Sequence, residues 1–200
     1  MIGIIGAMEE EVAALKEAMQ VESVTEYASM TFCKGVLCGK EVVIVRSGIG
    51  KVNAGICAQI LVDKFDVNAL INTGIAGSLN AKIDIGDVVV SKEALHHDMD
   101  ATEFGDPIGQ VPRMDTLAFP ADEHLIRLAK AANEKVNPDI HTFVGTVASG
   151  DQFIASQEAK DKIVNNFHAY CTEMEGAAIA HAAYLNKVSY VIIRAISDRK

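Results

Sequence analysis

Short apolar runs alternate with amphipathic segments along most of this chain. Apolar runs of strand length, bounded by Gly, Asn and Asp, predict strands at 2–6, 31–38, 41–47, 68–73, 88–91, 140–149, 169–174 and 188–196. Helical spacing predicts helices at 51–64, 121–135, 156–166 and 175–186. Strands that alternate with helices indicate an α/β fold, with a mostly parallel or mixed sheet covered by helices on both faces.

The segment after the first predicted strand has the apolar spacing of a further helix. Its inward stripe consists of Met8, Val12, Leu15 and Met19. Glu11 lies on this stripe, whereas Glu9 and Glu10 lie off it. A carboxylate on an inward face must be paired, reach a cleft or serve a function. Glu11 is therefore a candidate functional residue.

Several chemistry-bearing segments lie at the carboxyl ends of predicted strands, where open α/β sheets bind their ligands. These segments are 6–11, 47–50, 73–78, 149–153 and 197–198. Glu175 opens a helix directly after a predicted strand, and Asp198 lies just past the last one. We expect Glu11, Glu175 and Asp198 to meet at one site.

Arg194 lies inside an apolar strand and needs a buried partner. We predict that Glu173 is this partner, which leaves Glu175 free to accept hydrogen bonds from the hydroxyls of a substrate.

Composition narrows the class of protein. A chain of 200 residues with 22% charged side chains fits a single globular domain over 1–200. The net charge of −9, without a dense basic run, argues against a nucleic-acid partner. No signal peptide or membrane span is expected, and the four cysteines lack CxxC spacing, so a cytoplasmic protein with reduced thiols is predicted.

No metal site or cofactor site is expected from the sequence. His96-His97-Asp98 begins a long irregular loop at 96–120, but the two adjacent imidazoles lack the spacing of metal ligands. Gly3 and Gly6 do not form a dinucleotide-binding fingerprint, because the third glycine and the distal acid are missing.

Seven motifs, taken together, resemble one family. They are GIIGAMEEEV at 3–12, SGIGKVNA at 47–54, INTGIAGS at 71–78, HDMDATEFGDPIGQVP at 97–112, SGDQFI at 149–154, TEMEGAAIAH at 172–181 and RAISD at 194–198. Their order and joint presence are similar to the 5′-methylthioadenosine/S-adenosylhomocysteine nucleosidases. The resemblance covers essentially the whole chain. It implies a three-layer α/β/α fold with a central twisted mixed sheet, as in nucleoside phosphorylases.

The resemblance implies hydrolysis of the N-glycosidic bond of methylthioadenosine and S-adenosylhomocysteine, in methionine salvage and methyl-cycle recycling. It implies that Glu11 activates water, and that Asp198, oriented by Ser197, protonates adenine N7. An acid for the leaving base and a base for the water are what this chemistry needs. Asp198 must then hold its proton near neutral pH, so an apolar or acidic neighbourhood is expected.

The resemblance also implies a set of binding residues. Glu175 and Met174 would hold the ribose, Phe153 would stack on adenine, and the Ile154 backbone would bind the edge of the base. The floor and walls would be formed by Ala76, Gly77, Met8 and Ile49. Family members are homodimers, which makes Phe104 and Pro112 candidates for contacting the 5′-thio substituent in the neighbouring subunit.

Three departures from the family pattern are visible. Ile75 stands where a hydroxyl residue is frequent, and Ser78 replaces a frequent glycine. The family also continues beyond the position of Lys200 with a helix that caps the adenine pocket, and activity is expected to fall without it.

Three other functions remain open at this level. Hydrolysis of a related adenine nucleoside such as aminofutalosine is the closest alternative. A purine nucleoside phosphorylase would need a cation for phosphate, for which Arg46 is the candidate. A catalytically silent binding module would bind methylthioadenosine without releasing adenine.

Overall fold

A ten-stranded mixed sheet organises the chain in the computed structural model, which describes residues 1–199. The strands are β1 (Ile2–Gly6), β2 (Gln20–Tyr27), β3 (Met30–Leu37), β4 (Lys40–Arg46), β5 (Ala69–Ser78), β6 (Val88–His96), β7 (Phe119–Pro120), β8 (Thr142–Ser149), β9 (Cys171–Glu173) and β10 (Ser189–Asp198). The α-helices are α1 (Ala13–Ala18), α2 (Lys51–Phe65), α3 (Glu123–Val136), α4 (Gln157–Phe167) and α5 (Gly176–Asn186). Two 3-10 turns, Glu9–Glu11 and Thr102–Phe104, complete the regular structure.

The sheet is partly closed on itself. Its strand order is β10-β6-β8-β9-β5-β1-β4-β3-β2, β7 pairs with β6, and β10 also pairs with β5. Strands β5, β10, β6, β8 and β9 therefore form a ring, from which β1 to β4 extend. Because β1, β4, β5 and β10 are joined by parallel pairings, their carboxyl ends lie at the same edge of the sheet.

Side-chain alternation on the central strands creates the layers. Ile4 and Ile44 pack with Val12 beside α1 on one face. The intervening residue Ile5 belongs to the main core together with Leu61 of α2 and further side chains of α5. A period of two thus directs neighbouring residues to opposite apolar layers. None of the helices in residues 1–199 combines the length and the apolar character that crossing a membrane requires.

The predicted α/β class and mixed sheet are confirmed, with differences at the level of single elements. The helix predicted after β1 is a 3-10 turn followed by the six-residue α1. Strand β2 was not predicted, since it is an exposed edge strand without an apolar period. Strands β5, β6 and β10 run further than predicted, so Asp198 ends β10 instead of following it.

Candidate active site

A cavity of about 300 Å³ opens at the carboxyl ends of the central strands. This volume is at the lower end of the range of small-molecule sites. Its wall is formed by Ala7, Met8, Glu11, Ile49, Ile75, Ala76, Gly77, Gln152, Phe153, Ile154, Thr172, Glu173, Met174, Glu175, Arg194, Ser197 and Asp198.

Glu11 is held at this edge by backbone donors. It ends the 3-10 turn after β1, and its side chain is only 6% exposed. Its Oε2 atom accepts hydrogen bonds from the amides of Ala7 at 2.7 Å and Met8 at 3.1 Å. Its Oε1 atom accepts from the amide of Ile75 at 3.2 Å. These bonds fix the orientation of the carboxylate at the cavity wall.

Arg194 is the centre of the charge arrangement in the site. Its side chain, 1% exposed, forms an ion pair with Glu173 and donates to Asn72 Oδ1 at 2.6 Å. Glu175 Oε1 lies 3.6 Å from the guanidinium and Glu11 Oε1 lies 4.0 Å from it. The predicted pairing of Glu173 with Arg194 is confirmed, and Arg194 itself reaches the wall of the cavity.

Glu175 precedes α5 and faces the start of α2. Its Oε2 atom accepts a hydrogen bond from the Gly50 amide at 3.0 Å. Burial and the nearby Glu173 carboxylate raise the pKa of Glu175 to about 7, and Arg194 opposes this rise. The Glu175 carboxyl is thus poised to change its charge near neutral pH, which is typical of groups at functional sites.

Two glycines of β5 allow these charged groups to come close to the sheet. A Cβ atom at Gly74 would lie 2.4 Å from Arg194 Nη1 and 2.5 Å from Glu11 Oε1. A Cβ atom at Gly77 would lie 2.9 Å from Asp198 Oδ1. Larger residues at either position would displace the side chains that line the cavity.

Asp198 ends β10 beside Gly77 and has a charged partner. Its side chain is 47% exposed, and its Oδ2 atom accepts a hydrogen bond from Lys160 Nζ at 2.8 Å. Ser197 Oγ lies 3.5 Å from Asp198 Oδ1. The expectation of an apolar or acidic neighbourhood for Asp198 is wrong, because a buried ammonium group contacts its carboxyl.

His96 of the 96–98 segment is buried beside a second histidine, His181 of α5. His96 Nε2 lies 3.1 Å from Nδ1 of His181, and the His181 ring stacks on Phe119. Burial and the Lys51 charge lower the pKa of His96 to about 4, which keeps it neutral at physiological pH. Within residues 1–199, His, Cys, Asp and Glu side chains form no group of three that could hold a metal ion.

Comparison with known proteins shows the family to which this chain belongs. The family model of the phosphorylase superfamily matches residues 1–200. The 5′-methylthioadenosine/S-adenosylhomocysteine nucleosidase of Staphylococcus carnosus (strain TM300) is 44% identical over 199 residues, which are 99% of this chain and 86% of that protein. The chain belongs to the 5′-methylthioadenosine/S-adenosylhomocysteine nucleosidase family.

Solved structures of the nucleosidase family and of a futalosine hydrolase share the fold. The nucleosidase of Colwellia psychrerythraea 34H, solved in complex with adenine, has a TM-score of 0.94 and 45% identity, covering 98% of this chain and 81% of that chain. The futalosine hydrolase of Helicobacter pylori strain 26695 has a TM-score of 0.92 and 34% identity, covering 98% and 84%. The fold implied by the sequence motifs of the nucleosidase family is thereby confirmed.

The structure brings together most of the residues that the nucleosidase motifs imply. The cavity wall includes Glu11, Asp198, Glu175, Met174, Phe153, Ile154, Ser197, Ala76, Gly77, Met8 and Ile49. Phe104 and Pro112 lie outside this wall on the 97–112 loop, where Phe104 is 89% exposed. Their contact with a neighbouring subunit stays a prediction.

Sequence reasoning missed three charged residues at or beside the site. Arg194 and Glu173 were predicted to pair, but not to reach the cavity, because a strand pattern does not reveal which face borders a cleft. Lys160 gave no signal, since an isolated lysine on an amphipathic helix is usually solvated. Only the tertiary structure shows that its ammonium contacts Asp198.

Proposed function

We propose that this protein hydrolyses the N-glycosidic bond of 5′-methylthioadenosine and S-adenosylhomocysteine, releasing adenine and a 5-thio-ribose product. The observation that carries the proposal is the convergence of Glu11, Glu175 and Asp198 on one cavity. The names of the relatives and of the solved structures support the same substrates.

The reaction needs one group to donate a proton and another to accept one. Breaking the bond between C1′ and N9 leaves an oxocarbenium-like sugar and transfers electrons to adenine. Asp198 would give its proton to N7 of the leaving base. Glu11 would take a proton from the water that attacks C1′, so charge and atoms balance. Its backbone donors, with Arg194 nearby, orient the Glu11 carboxylate for this task.

The remaining wall would hold the substrate. Glu175 would accept hydrogen bonds from the ribose hydroxyls, because its carboxyl lies between the start of α2 and Arg194. Phe153, 83% exposed, provides a free aromatic face for adenine, with Ile154 beside it. Met174, Met8 and Ile49 would form apolar contacts with the sugar and the thioether.

Hydrolysis is favoured over phosphorolysis by the charges around the site. Arg194 is the basic residue among the cavity-lining positions of the described chain, and Glu173, Glu175 and Glu11 surround it. A guanidinium so enclosed by carboxylates is a poor site for a phosphate dianion. Arg46, the candidate for phosphate, is absent from the cavity wall and approaches Glu9 at 4.0 Å.

We also propose that the protein acts as a homodimer. Ile49, Val52 and Ile56 at the start of α2 are 54%, 71% and 44% exposed, and Phe104 on the 97–112 loop is also exposed. Helix α2 is apolar on its inner face as well, at Ala54, Cys57, Ala58 and Leu61. Exposed apolar side chains that lie together on one face commonly mark a protein–protein contact. A second subunit on this face would place Phe104 and Pro112 near the 5′-thio end of its neighbour's site.

A cytoplasmic location and a single domain complete the proposal. The location is supported by the four cysteines, all of which are free thiols. The single domain is supported by the one sheet that unites strands from both ends of the described chain.

Adenine release from methylthioadenosine in phosphate-free buffer tests the proposed function. We expect turnover by the wild type and losses of at least ~10²-fold for Glu11→Gln and Asp198→Asn, because each removes one proton-transfer group. Near-wild-type turnover in either variant would refute the role assigned to that residue.

Three control results would identify the alternatives. A requirement for phosphate, with ribose-1-phosphate as product, would identify a phosphorylase instead. Faster turnover of aminofutalosine than of methylthioadenosine would identify a related adenine nucleosidase instead. Tight binding of methylthioadenosine without adenine release would indicate a binding module.

A further inference from the structure

Lys160 is an unusual residue in the middle of α4. The residue is 5% exposed, in a helix whose other charged residues, with the exception of its partly buried Asp161, face solvent. Its Nζ atom donates to Asp198 Oδ2 at 2.8 Å and to the backbone carbonyl of Arg199 at 2.6 Å. The lysine therefore connects α4 directly to the end of β10, where the proposed acid lies.

The pair between Lys160 and Asp198 is strongly asymmetric. The lysine side chain is 6% exposed, whereas the aspartate side chain is 47% exposed and lines the cavity. Lys160 is not part of the cavity wall, so its ammonium approaches the carboxyl from behind. One carboxyl oxygen, Oδ2, contacts the lysine, while Oδ1 lies near Ser197 Oγ.

Packing alone does not account for a lysine at this position. Desolvation of an ammonium group is unfavourable, and apolar replacements for buried ion pairs are often neutral or stabilising. The next two turns of α4 contribute Ile163 and Phe167 to an apolar cluster, which shows that apolar side chains pack well on this face. The charge of Lys160 must therefore contribute something other than packing.

We propose that Lys160 is a positioning residue for the departure of adenine: it holds the Asp198 carboxyl at the cavity and stabilises the carboxylate that remains after proton transfer. This rests on the proposed function. When the bond between C1′ and N9 breaks, the Asp198 proton moves to N7 and negative charge develops on the aspartate. In the reacting complex, in which Asp198 carries the proton, the preoriented ammonium becomes most favourable as that proton leaves, so its contribution lies in the transition state and not in substrate binding.

The decisive comparison is between Lys160→Met and Lys162→Met. Lys162 lies two residues further along α4 and is exposed, so it controls for the loss of a lysine from this helix. For Lys160→Met we expect kcat for adenine release to fall about 10- to 100-fold, as for the loss of a charged hydrogen bond, with KM within about twofold. Lys162→Met is expected to retain wild-type kcat and KM.

Two further measurements distinguish positioning from a structural role. In Lys160→Ala, added propylammonium should restore part of kcat in a saturable manner, because a small cation can occupy the space of the side chain. In the Asp198→Asn background, Lys160→Met should cause little further loss, because the carboxylate on which it acts is gone. Circular dichroism and thermal melting establish that each variant is folded.

The proposal is overturned if Lys160→Met loses no more kcat than Lys162→Met, or if the loss lies in KM. It is also overturned if Lys160→Met lowers the residual rate of Asp198→Asn by the same factor as that of the wild type. Failure of the proposed function has a different signature, because the wild type itself would then release no adenine from methylthioadenosine.

Discussion

At the scale of single residues, three carboxylates surround one guanidinium at the cavity. Glu173 forms the direct ion pair, and Glu175 and Glu11 lie 3.6 Å and 4.0 Å from Arg194. One positive charge cannot fully compensate three negative charges in a buried setting. Glu175 is the carboxyl most affected by the excess negative charge. Burial and the Glu173 carboxylate raise its pKa to about 7.

The raised pKa of Glu175 predicts a pH dependence of stability. An unfolded glutamate titrates near ~4.3, so between that pH and about 7 the folded chain binds more protons than the unfolded chain. The stabilising effect of protonated Glu175 is present below the unfolded value and is lost as the pH rises to about 7. Urea denaturation at pH 5 and pH 8 should therefore show a smaller decline in unfolding free energy for Glu175→Gln than for the wild type.

The control for this titration is Glu17→Gln, which alters an exposed glutamate of α1. It should preserve the wild-type pH profile. Parallel profiles for the wild type and Glu175→Gln would contradict the assignment of a titrating carboxyl at this position.

At the scale of elements, the site depends on how β9 and β10 are joined. Glu173 ends β9, accepts hydrogen bonds from Ser149 of β8 and the Gly176 amide of α5, and pairs with Arg194 of β10. One carboxylate thus links three strands and a helix start. Glu173 therefore has a structural role at the cavity wall, while Glu175, which precedes α5, accepts its hydrogen bond from the Gly50 amide of the next element.

Glu173→Gln is expected to destabilise the protein, because it removes one partner of a buried pair and leaves the Arg194 charge uncompensated. Breaking such a pair typically costs about 3–5 kcal/mol. The matched control is Glu123→Gln, which disrupts the exposed pair of Glu123 with Arg127 on α3 and should hardly change stability. Equal unfolding free energies for the two variants, from urea titrations, would refute the structural role of Glu173.

Three of the longer helices were predicted well, whereas an exposed edge strand and the full length of β10 were not. Helices α2, α3 and α4 begin and end within a few residues of their predicted bounds. Strand β2 escaped prediction because most of its residues face solvent. Strand β10 extends to Asp198 because it pairs with Gly77 of β5, a contact that its own sequence does not encode.

At the scale of the whole molecule, the exposed apolar surface of α2 and the 97–112 loop bears on the proposed dimer. The exposed apolar side chains of α2 and the 97–112 loop lie on a protein with a net charge of −9. Like charges oppose association, so an interface between two copies requires local apolar contact. The exposed residues of α2 provide such contact.

Val52→Asp is expected to separate the subunits and to lower adenine release. The substitution places a charge on the proposed interface, while an aspartate at the second residue of α2 is compatible with the helix start. Sedimentation velocity should show a monomer for this variant and a dimer for the wild type. Leu128→Asp on α3, another exposed apolar position, should remain dimeric. A dimeric Val52→Asp, or a monomeric wild type, would contradict the proposal.

The sequence by itself determined the fold class and most of the residues that line the site. Apolar periodicity specifies which segments are strands and helices, and parallel strands bring chemistry-bearing ends such as Glu11 and Asp198 to one edge. Local pattern also identified Arg194 as a charge that needs a buried partner.

Only the tertiary structure decided the electrostatic state of these groups. Lys160 and Asp198 are 38 positions apart, and their contact depends on how α4 packs beside the end of β10. The charge interactions of Glu11, Glu173 and Glu175 with Arg194 likewise depend on distances between segments that are remote in sequence. Charge interactions vary steeply with distance and burial, and neither quantity is contained in the order of the residues.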